Sequence, residues 1–272
     1  MLIGKNILIP IDYSECSINA LKYAADISIT NNAKLTVLNI SDSGKPNNES
    51  HEKKSSGQRS GYSRVEDLLA NVRYEFVRRE GNITKEILRI QQAFGSELIV
   101  MGTQGAHNLN RKLFGTNTTE IITKADCAVM AVPLESVYSG FKRVVLATDM
   151  HRKNLEMVES AINMIQAFEP ELMLLHVNGK TDPRVELEYA LSEIPKEVRK
   201  HINYEKTSMY VSSFKKVDEG IAHFIKRKKA DLLIMITEHR SLFKGLVDKS
   251  ETKKMAFQTT IPLLAVPNIG SG

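Results

Sequence analysis

The sequence predicts an α/β protein of two tandem domains, each a five-stranded parallel sheet with helices on both faces. Short apolar runs alternate with longer amphipathic stretches, which is the pattern of βαβ units around a buried parallel sheet. The alternation is written twice, and both copies close on the same Ala-Val-Pro strand end, Ala131–Pro133 and Ala265–Pro267.

The repeat is close to gapless. Glu97-Leu-Ile-Val-Met-Gly-Thr103 returns as Asp231-Leu-Leu-Ile-Met-Ile-Thr237, an offset of 134 (231 − 97). Near the start, Asn6-Ile-Leu-Ile-Pro-Ile-Asp12 matches Arg143-Val-Val-Leu-Ala-Thr-Asp149, and Leu38-Asn-Ile40 matches Leu175-His-Val177, now at 137 (149 − 12). The copies therefore differ by three residues between positions 40 and 97. A repeat of this kind decides the architecture before any single element is placed.

Strands are expected near 6–11, 34–40, 73–79, 97–102 and 127–132 in the first copy, with helices near 15–31, 64–71, 83–94 and 116–125. The second copy predicts strands near 142–148, 171–177, 204–211, 231–236 and 261–266, and helices near 154–168, 183–201, 217–228 and 250–257. Residues 41–60 offer nothing apolar to bury and read as a mobile loop. Val185, Leu187, Leu191, Ile194 and Val198 have near-helical spacing, interrupted at Pro195, so a complete covering helix is expected only in the second copy. Domains of 1–136 and 141–268 follow, joined near Glu135–Gly140.

With 272 residues, 42% hydrophobic and 25% charged, the chain has an ordinary globular composition. No apolar run approaches the roughly 18 residues that span a bilayer, and Asp12 interrupts any signal-like start. The expectation is a cytoplasmic protein with no membrane partner. A net charge of +5, from 37 basic and 32 acidic residues, is a mild excess. Its largest cluster, Lys226–Lys229, ends a predicted helix, where cations offset the dipole, so nucleic acid is not expected as a partner. Cys16 and Cys127 are too few for a disulfide framework. Cys16 stands at a helix start, which can activate a thiol, although a small core residue is the plainer reading.

The chemistry is concentrated after the fourth strand of the first copy, in Gly102-x2-Gly105-x9-Gly115-Thr116. Backbone N–H groups hold phosphate oxygens only where no side chain obstructs them, and glycine allows that approach. The helix opening at Thr116 adds unpaired N–H groups and a positive dipole end. In open α/β sheets, ligands bind beyond the carboxyl ends of the strands, where Asp12 and Ile40 also lie. Three glycines within fourteen residues also describe an ordinary turn-rich loop; their placement between strand and helix favours the phosphate reading.

This motif, the early Ile-Pro-Ile-Asp-Tyr-Ser segment and the closing Ala-Val-Met-Ala-Val-Pro strand resemble the universal stress protein family, once per copy over essentially the whole chain. The resemblance implies Rossmann-like domains of the adenine-nucleotide-α-hydrolase type. It further implies that Gly102, Gly105, Gly115, Thr116 and Asn117 hold ribose and phosphates, Asp12 meets the adenine end, and Ile40 packs on the base with Met101 nearby. The implied cofactor is ATP, or AMP or ADP, with Mg admitted beside it. Asn117 departs from the small aliphatic residue common in the family.

In the second copy the three glycines become Ile236, His239 and Lys249, and Ser250 replaces Thr116. Its ATP mode is expected to be closed, although Asp149 persists. His176, His223 and His239 show no paired spacing for zinc. Three functions stay open: a nucleotide-binding stress or regulatory protein, a nucleotide-independent scaffold docking an unknown protein partner, or a slow ATPase. No P-loop or nucleophile constellation supports efficient chemistry. By the same resemblance, Ala128–Val132 and Leu263–Val266 are expected to pair as an intramolecular pseudo-dimer, with a homodimer as a further option.

Overall fold

The computed structural model describes residues 5–41, 61–103, 116–148, 155–178, 186–189, 196, 200, 202–238 and 260–268. The fold divides into two compact units, Leu2–Tyr138 and Ser139–Gly272.

In the first unit, β1 (Asn6–Ile11), β2 (Lys34–Ser41), β3 (Tyr74–Glu80), β4 (Leu98–Gly102) and β5 (Ala128–Val132) form a parallel sheet in the order β3-β2-β1-β4-β5. The order reverses between β1 and β4, which places the switch point of this sheet at their carboxyl ends. The central strands are apolar on both faces, with Ile7, Leu8, Ile9, Ile99 and Val100 fully buried. This is the consequence of covering a parallel sheet on two sides.

The helices begin and end where local chemistry dictates. Helix α1 (Glu15–Asn31) is capped by Ser14, whose hydroxyl accepts the Ser17 N–H at 3.2 Å, and ends at Asn32 in the left-handed region with φ 50°. It is buried nearly all round by small residues such as Ala20, Ala24 and Ala25 alongside Ile18 and Leu21. Helix α2 (Gly61–Leu69) is tied to α1 by a bidentate Arg64–Glu15 pair, whose Nη2–Oε2 arm is 2.9 Å. The Arg64 hydrogen bond holds the Glu15 carboxyl below its usual range. Helix α3 (Ile83–Phe94) is capped by Asn82 accepting the Lys85 N–H at 3.0 Å, and stops at Gly95 with φ 57°. Helix α4 (Thr116–Lys124) leads into β5.

After β5 the chain is pinned back onto α1. The buried Asn19 amide donates to the carbonyls of Pro133 at 3.0 Å and Ser136 at 2.9 Å. Tyr138 hydrogen-bonds Asp26 and meets Tyr23 edge-on at a centroid distance of 4.6 Å. Burial, with Asp26 beside it, raises the Tyr138 phenol well above its usual range. The first unit ends at this tether.

The second unit repeats the topology with β6 (Arg143–Ala147), β7 (Glu171–Asn178), β9 (Thr207–Ser213), β10 (Leu232–Glu238) and β11 (Leu263–Asn268), ordered β9-β7-β6-β10-β11. Helix α5 (Leu155–Ile165) continues into a 3-10 turn, Gln166–Phe168, and α6 (Val217–Lys228) covers β7. Asp231 anchors the start of this sheet: both carboxylate oxygens accept the N–H groups of Lys142 and Arg143 at 2.9–3.1 Å.

The helix expected near 183–201 is corrected in its first part: residues 186–189 form a short strand, β8 (Glu186–Tyr189), antiparallel to β9. Further along the same range Lys196 is helical, and the Lys200 N–H donates to its carbonyl at 3.1 Å. The segment Val185-Glu-Leu-Glu-Tyr-Ala190 alternates apolar and polar residues with period two, and at this length the strand period wins over the looser helical spacing. The helix expected near 64–71, between the second and third strands of the first unit, is present as α2. The expected loop at 41–60 is described only at Ser41, and the expected helix at 250–257 lies outside the described residues.

Two glycines set how closely helices approach their sheets. A Cβ at Gly102 would lie 2.8 Å from Cys16 Sγ and 3.0 Å from the Cys16 carbonyl carbon and oxygen. At Gly220, within α6, it would lie 2.7 Å from Val177 Cγ1 and 3.0 Å from Phe214 Cβ. Cys16 itself is 4% exposed and its thiol donates to the Val132 carbonyl at 3.6 Å, so it is a packing residue rather than an exposed, activated one.

Gly102→Ala therefore meets backbone and should cost about 1–3 kcal/mol, lowering the melting temperature by several degrees. Gly220→Ala meets similar crowding but gains up to ~1 kcal/mol of helix propensity, so its loss should be the smaller. Thermal melts of the two variants check both the sign and the order. Burial, aided by the Asp126 charge, pushes the Cys127 thiol up to about 12. Since the thiolate is the reactive form, a thiol reagent at neutral pH should label neither cysteine in the native chain and both in denaturant. Rapid native labelling would contradict this packing.

Candidate functional site at the carboxyl edge of the first sheet

The end of β1 shapes the site. Asp12 follows the strand directly and is half-buried. Its Oδ1 accepts the Ser14 N–H at 3.0 Å and the Ser14 hydroxyl at 2.6 Å, closing an Asx turn. The turn carries Tyr13 into the left-handed region with φ 61°, a conformation that costs a residue with a side chain on the order of 1 kcal/mol or more. Ser14 then caps α1 with the same hydroxyl, so Asp12, Ser14 and the helix start are one hydrogen-bonded unit.

The end of β2 is held beside it. The Asn39 amide donates to the Ile11 carbonyl at 3.0 Å, pairing the tips of β1 and β2 beyond their ladder. Ile40 is the next residue, half-buried, at the edge.

On the other side of the switch point, Gly102 ends β4 and lies against Cys16 at the start of α1. Its carbonyl accepts the Thr118 hydroxyl at 3.2 Å, a bond from the first turn of α4 back to the strand it follows. The adjoining Thr103 N–H donates to the Val132 carbonyl at 3.1 Å. Thr116 and Asn117 are exposed at the opening of α4, while Thr118 is 2% exposed. The helix start is thereby latched to β4 with its first-turn backbone donors near the strand ends.

Asp12, Ile40, Gly102, Thr116 and Asn117 thus all lie at the carboxyl end of this sheet or at the helix that follows it. Met101 is placed differently: at 6% exposure, paired in register with Ala131, it is a packing residue beneath the edge. Gly105 and Gly115 lie outside the described residues. Sequence reasoning missed Asn39 and Thr118. A signal existed for each: Asn39 is a polar residue inside an apolar strand, and threonine near a helix start commonly bonds backbone.

The second unit keeps some of this construction. His176 stands at the position of Asn39 (176 − 137 = 39), and its Nδ1 lies 3.2 Å from the carbonyl of Thr148, the counterpart of Ile11 (148 − 137 = 11). A carbonyl only accepts, so Nδ1 carries the proton. Ile236, 5% exposed, takes the place of Gly102 and pairs in register with Val266. Asp149, His239, Lys249 and Ser250 lie outside the described residues.

Among the described residues no three His, Cys, Asp or Glu side chains gather as a metal site, and no helix is long and apolar enough to cross a membrane.

The profile of the Universal stress protein family matches residues 4–133 and again 140–267. A curated universal-stress-protein relative from Staphylococcus haemolyticus (strain JCSC1435) is 31% identical over 167 residues, covering 56% of this chain and 98% of the relative. One from Staphylococcus aureus (strain USA300) is 27% identical over 164 residues, with the same coverage. Among solved structures, a universal stress protein from Archaeoglobus fulgidus DSM 4304 superposes with a TM-score of 0.72 at 19% identity, covering 98% of this chain and all of that one. A functionally unknown protein from Pseudomonas aeruginosa PAO1 gives 0.63 at 15% identity, covering 97% and 93%. The structural likenesses show a shared fold, and the two profile matches, one in each half, show that this chain belongs to the universal stress protein family as a tandem, two-domain member.

Proposed function

We propose that the first unit binds an adenine nucleotide, ATP or its di- or monophosphate, at the carboxyl edge of its sheet, and that occupancy of this site serves stress response or regulation. The observation that carries the reading is the convergence of the Asp12 turn, the β2 tip and the latched start of α4 around the switch point between β1 and β4. Each part suits one portion of such a ligand. The half-buried Asp12 carboxylate offers an acceptor to amino or hydroxyl groups. Ile40 offers apolar surface to a base. The first-turn N–H groups of α4, with Thr116 and Asn117, offer donors to phosphate. Gly105 and Gly115 belong to the same proposed cradle. Magnesium would enter with the phosphates, since it keeps several waters and takes few protein ligands.

The second unit is read as a supporting or docking module. Ile236 puts a β-branched side chain where the first unit has bare backbone, so the close approach made there by Cys16 is closed to it. One nucleotide per chain follows.

Calorimetric titration of ATP and AMP into the full chain should give a stoichiometry of one. Asp12→Asn retains an oxygen for both Ser14 bonds and loses only the charge, so the fold should stand while affinity falls about tenfold or more, the worth of a charged hydrogen bond. Gly115→Lys, which imports the second copy's residue, should abolish binding. Equal binding by wild type and both variants would overturn the site, a stoichiometry of two would overturn the asymmetry, and absence of binding by wild type would favour the scaffold reading.

A further inference from the structure

Strand β3 is the last strand of the first sheet, and among the described residues no strand pairs with its outer side. The equivalent edge of the second unit is covered: β8 runs antiparallel along β9, with Leu187 opposite Val211 and Tyr189 opposite Met209. Registers of Leu35 with Tyr74 and of Leu172 with Thr207 make Phe76 and Arg78 the counterparts of Met209 and Val211 (76 + 133 = 209; 78 + 133 = 211). The same position in this fold thus accepts an antiparallel strand in one unit.

The ladder fixes which β3 groups face outward. At its ends the Leu35 N–H donates to the Arg73 carbonyl at 2.9 Å and the Gly81 N–H to the Ser41 carbonyl at 3.0 Å. A parallel strand bonds its neighbour through alternate residues, so the odd-numbered residues serve β2. The N–H and C=O groups of Tyr74, Phe76, Arg78 and Glu80 face the open side. Their side chains share one face, where Tyr74 is 44% and Phe76 36% exposed and the Arg78 guanidinium stands 5.6 Å from the Phe76 ring centre. An edge of this kind is a template for another strand.

We propose that this edge pairs with the β3 edge of a second copy, antiparallel about a two-fold axis through Val77. The charge order of Tyr74-Glu-Phe-Val-Arg-Arg-Glu80 is self-complementary in that register. Glu75 faces Arg79, Tyr74 faces Glu80 and Phe76 faces Arg78, on both sides of the axis. Glu75 is already held in place by Lys34 at 2.7 Å and by the Thr36 hydroxyl at 3.0 Å. Outward-facing groups allow the register to slip only in steps of two residues. One such slip opposes Arg78 to Arg78, and the other opposes Arg73 to Arg79; like charges directly opposite are unfavourable. The interface is isologous, as a two-fold dimer requires. It does not rest on nucleotide binding.

The test uses the full chain. At the axis the two Val77 residues form a non-hydrogen-bonded pair, whose Cα atoms lie about 4.5 Å apart, within disulfide range. Val77→Cys should form a covalent dimer on mild oxidation, whereas Arg79→Cys, whose counterpart is Glu75, should form no crosslink; the native Cys16 and Cys127 are buried. Sedimentation of wild type should show a concentration-dependent dimer. Phe76→Pro removes an outward N–H and no bond to β2, so it should lose the dimer while keeping the circular dichroism spectrum and melting temperature. If that variant unfolds, Arg79→Glu, which opposes Glu75 with a like charge, should lose the dimer instead. A wild type that stays monomeric with no Val77→Cys crosslink overturns the proposal. So does equal crosslinking of Arg79→Cys, or a dimer that survives in the folded variants.

Discussion

How closely α1 can lie over the end of β4 governs the carboxyl edge of the first sheet. The approach is possible because Gly102 has no Cβ to meet the Cys16 thiol and carbonyl. From it follow the burial of Cys16, its bond to the Val132 carbonyl, and the position of the Ser14 cap directly above the β1 turn. Thr118 then fastens the next helix to the same Gly102 carbonyl. A glycine read in the sequence as room for phosphate is thus required here by packing. Either demand would exclude a side chain, which is why the residue type alone does not separate them.

The two units solve the same packing problem with the glycine in different places. The first brings α1 down onto β4; the second has Ile236 there and instead brings α6 down onto β7 through Gly220. The Glu86 counterpart of Gly220 (220 − 134) sits in α3 and pairs with Arg89 at 2.7 Å. Strand order and register agree between the units, while the helices are seated differently.

Most of the architecture was legible in the sequence because parallel strands buried on both faces produce unbroken apolar runs. The predicted strand at 6–11 and the helices at 15–31, 83–94 and 217–228 coincide with β1, α1, α3 and α6. The failure lay where an element is short. Five alternating residues around Leu187 fit a strand as well as the first turns of a broken helix; the edge of β9 decided for the strand at Glu186–Tyr189, and that edge is a tertiary fact, while Lys196 further on is helical as read. The candidate site was legible in the placement of Asp12 and Gly102 at the ends of β1 and β4, but not in the bonds that set them. Asn39 and Thr118 act through single hydroxyl or amide groups on backbone carbonyls, and no motif records which carbonyl lies nearby.

The pair formed by Asn39 and His176 carries this further. An amide in one half and an imidazole in the other each bridge the tips of the first two strands, at 3.0 Å and 3.2 Å. What the two halves share at this point is a proton donor at a fixed coordinate, supplied by a different amino acid in each. Counted by residue identity the position has diverged; counted by the carbonyl it bonds, it has not changed. The imidazole adds one property the amide lacks: with Nδ1 committed to the backbone, the ring carries a second nitrogen in a set direction, giving the second half a directional polar group that the first half does not have.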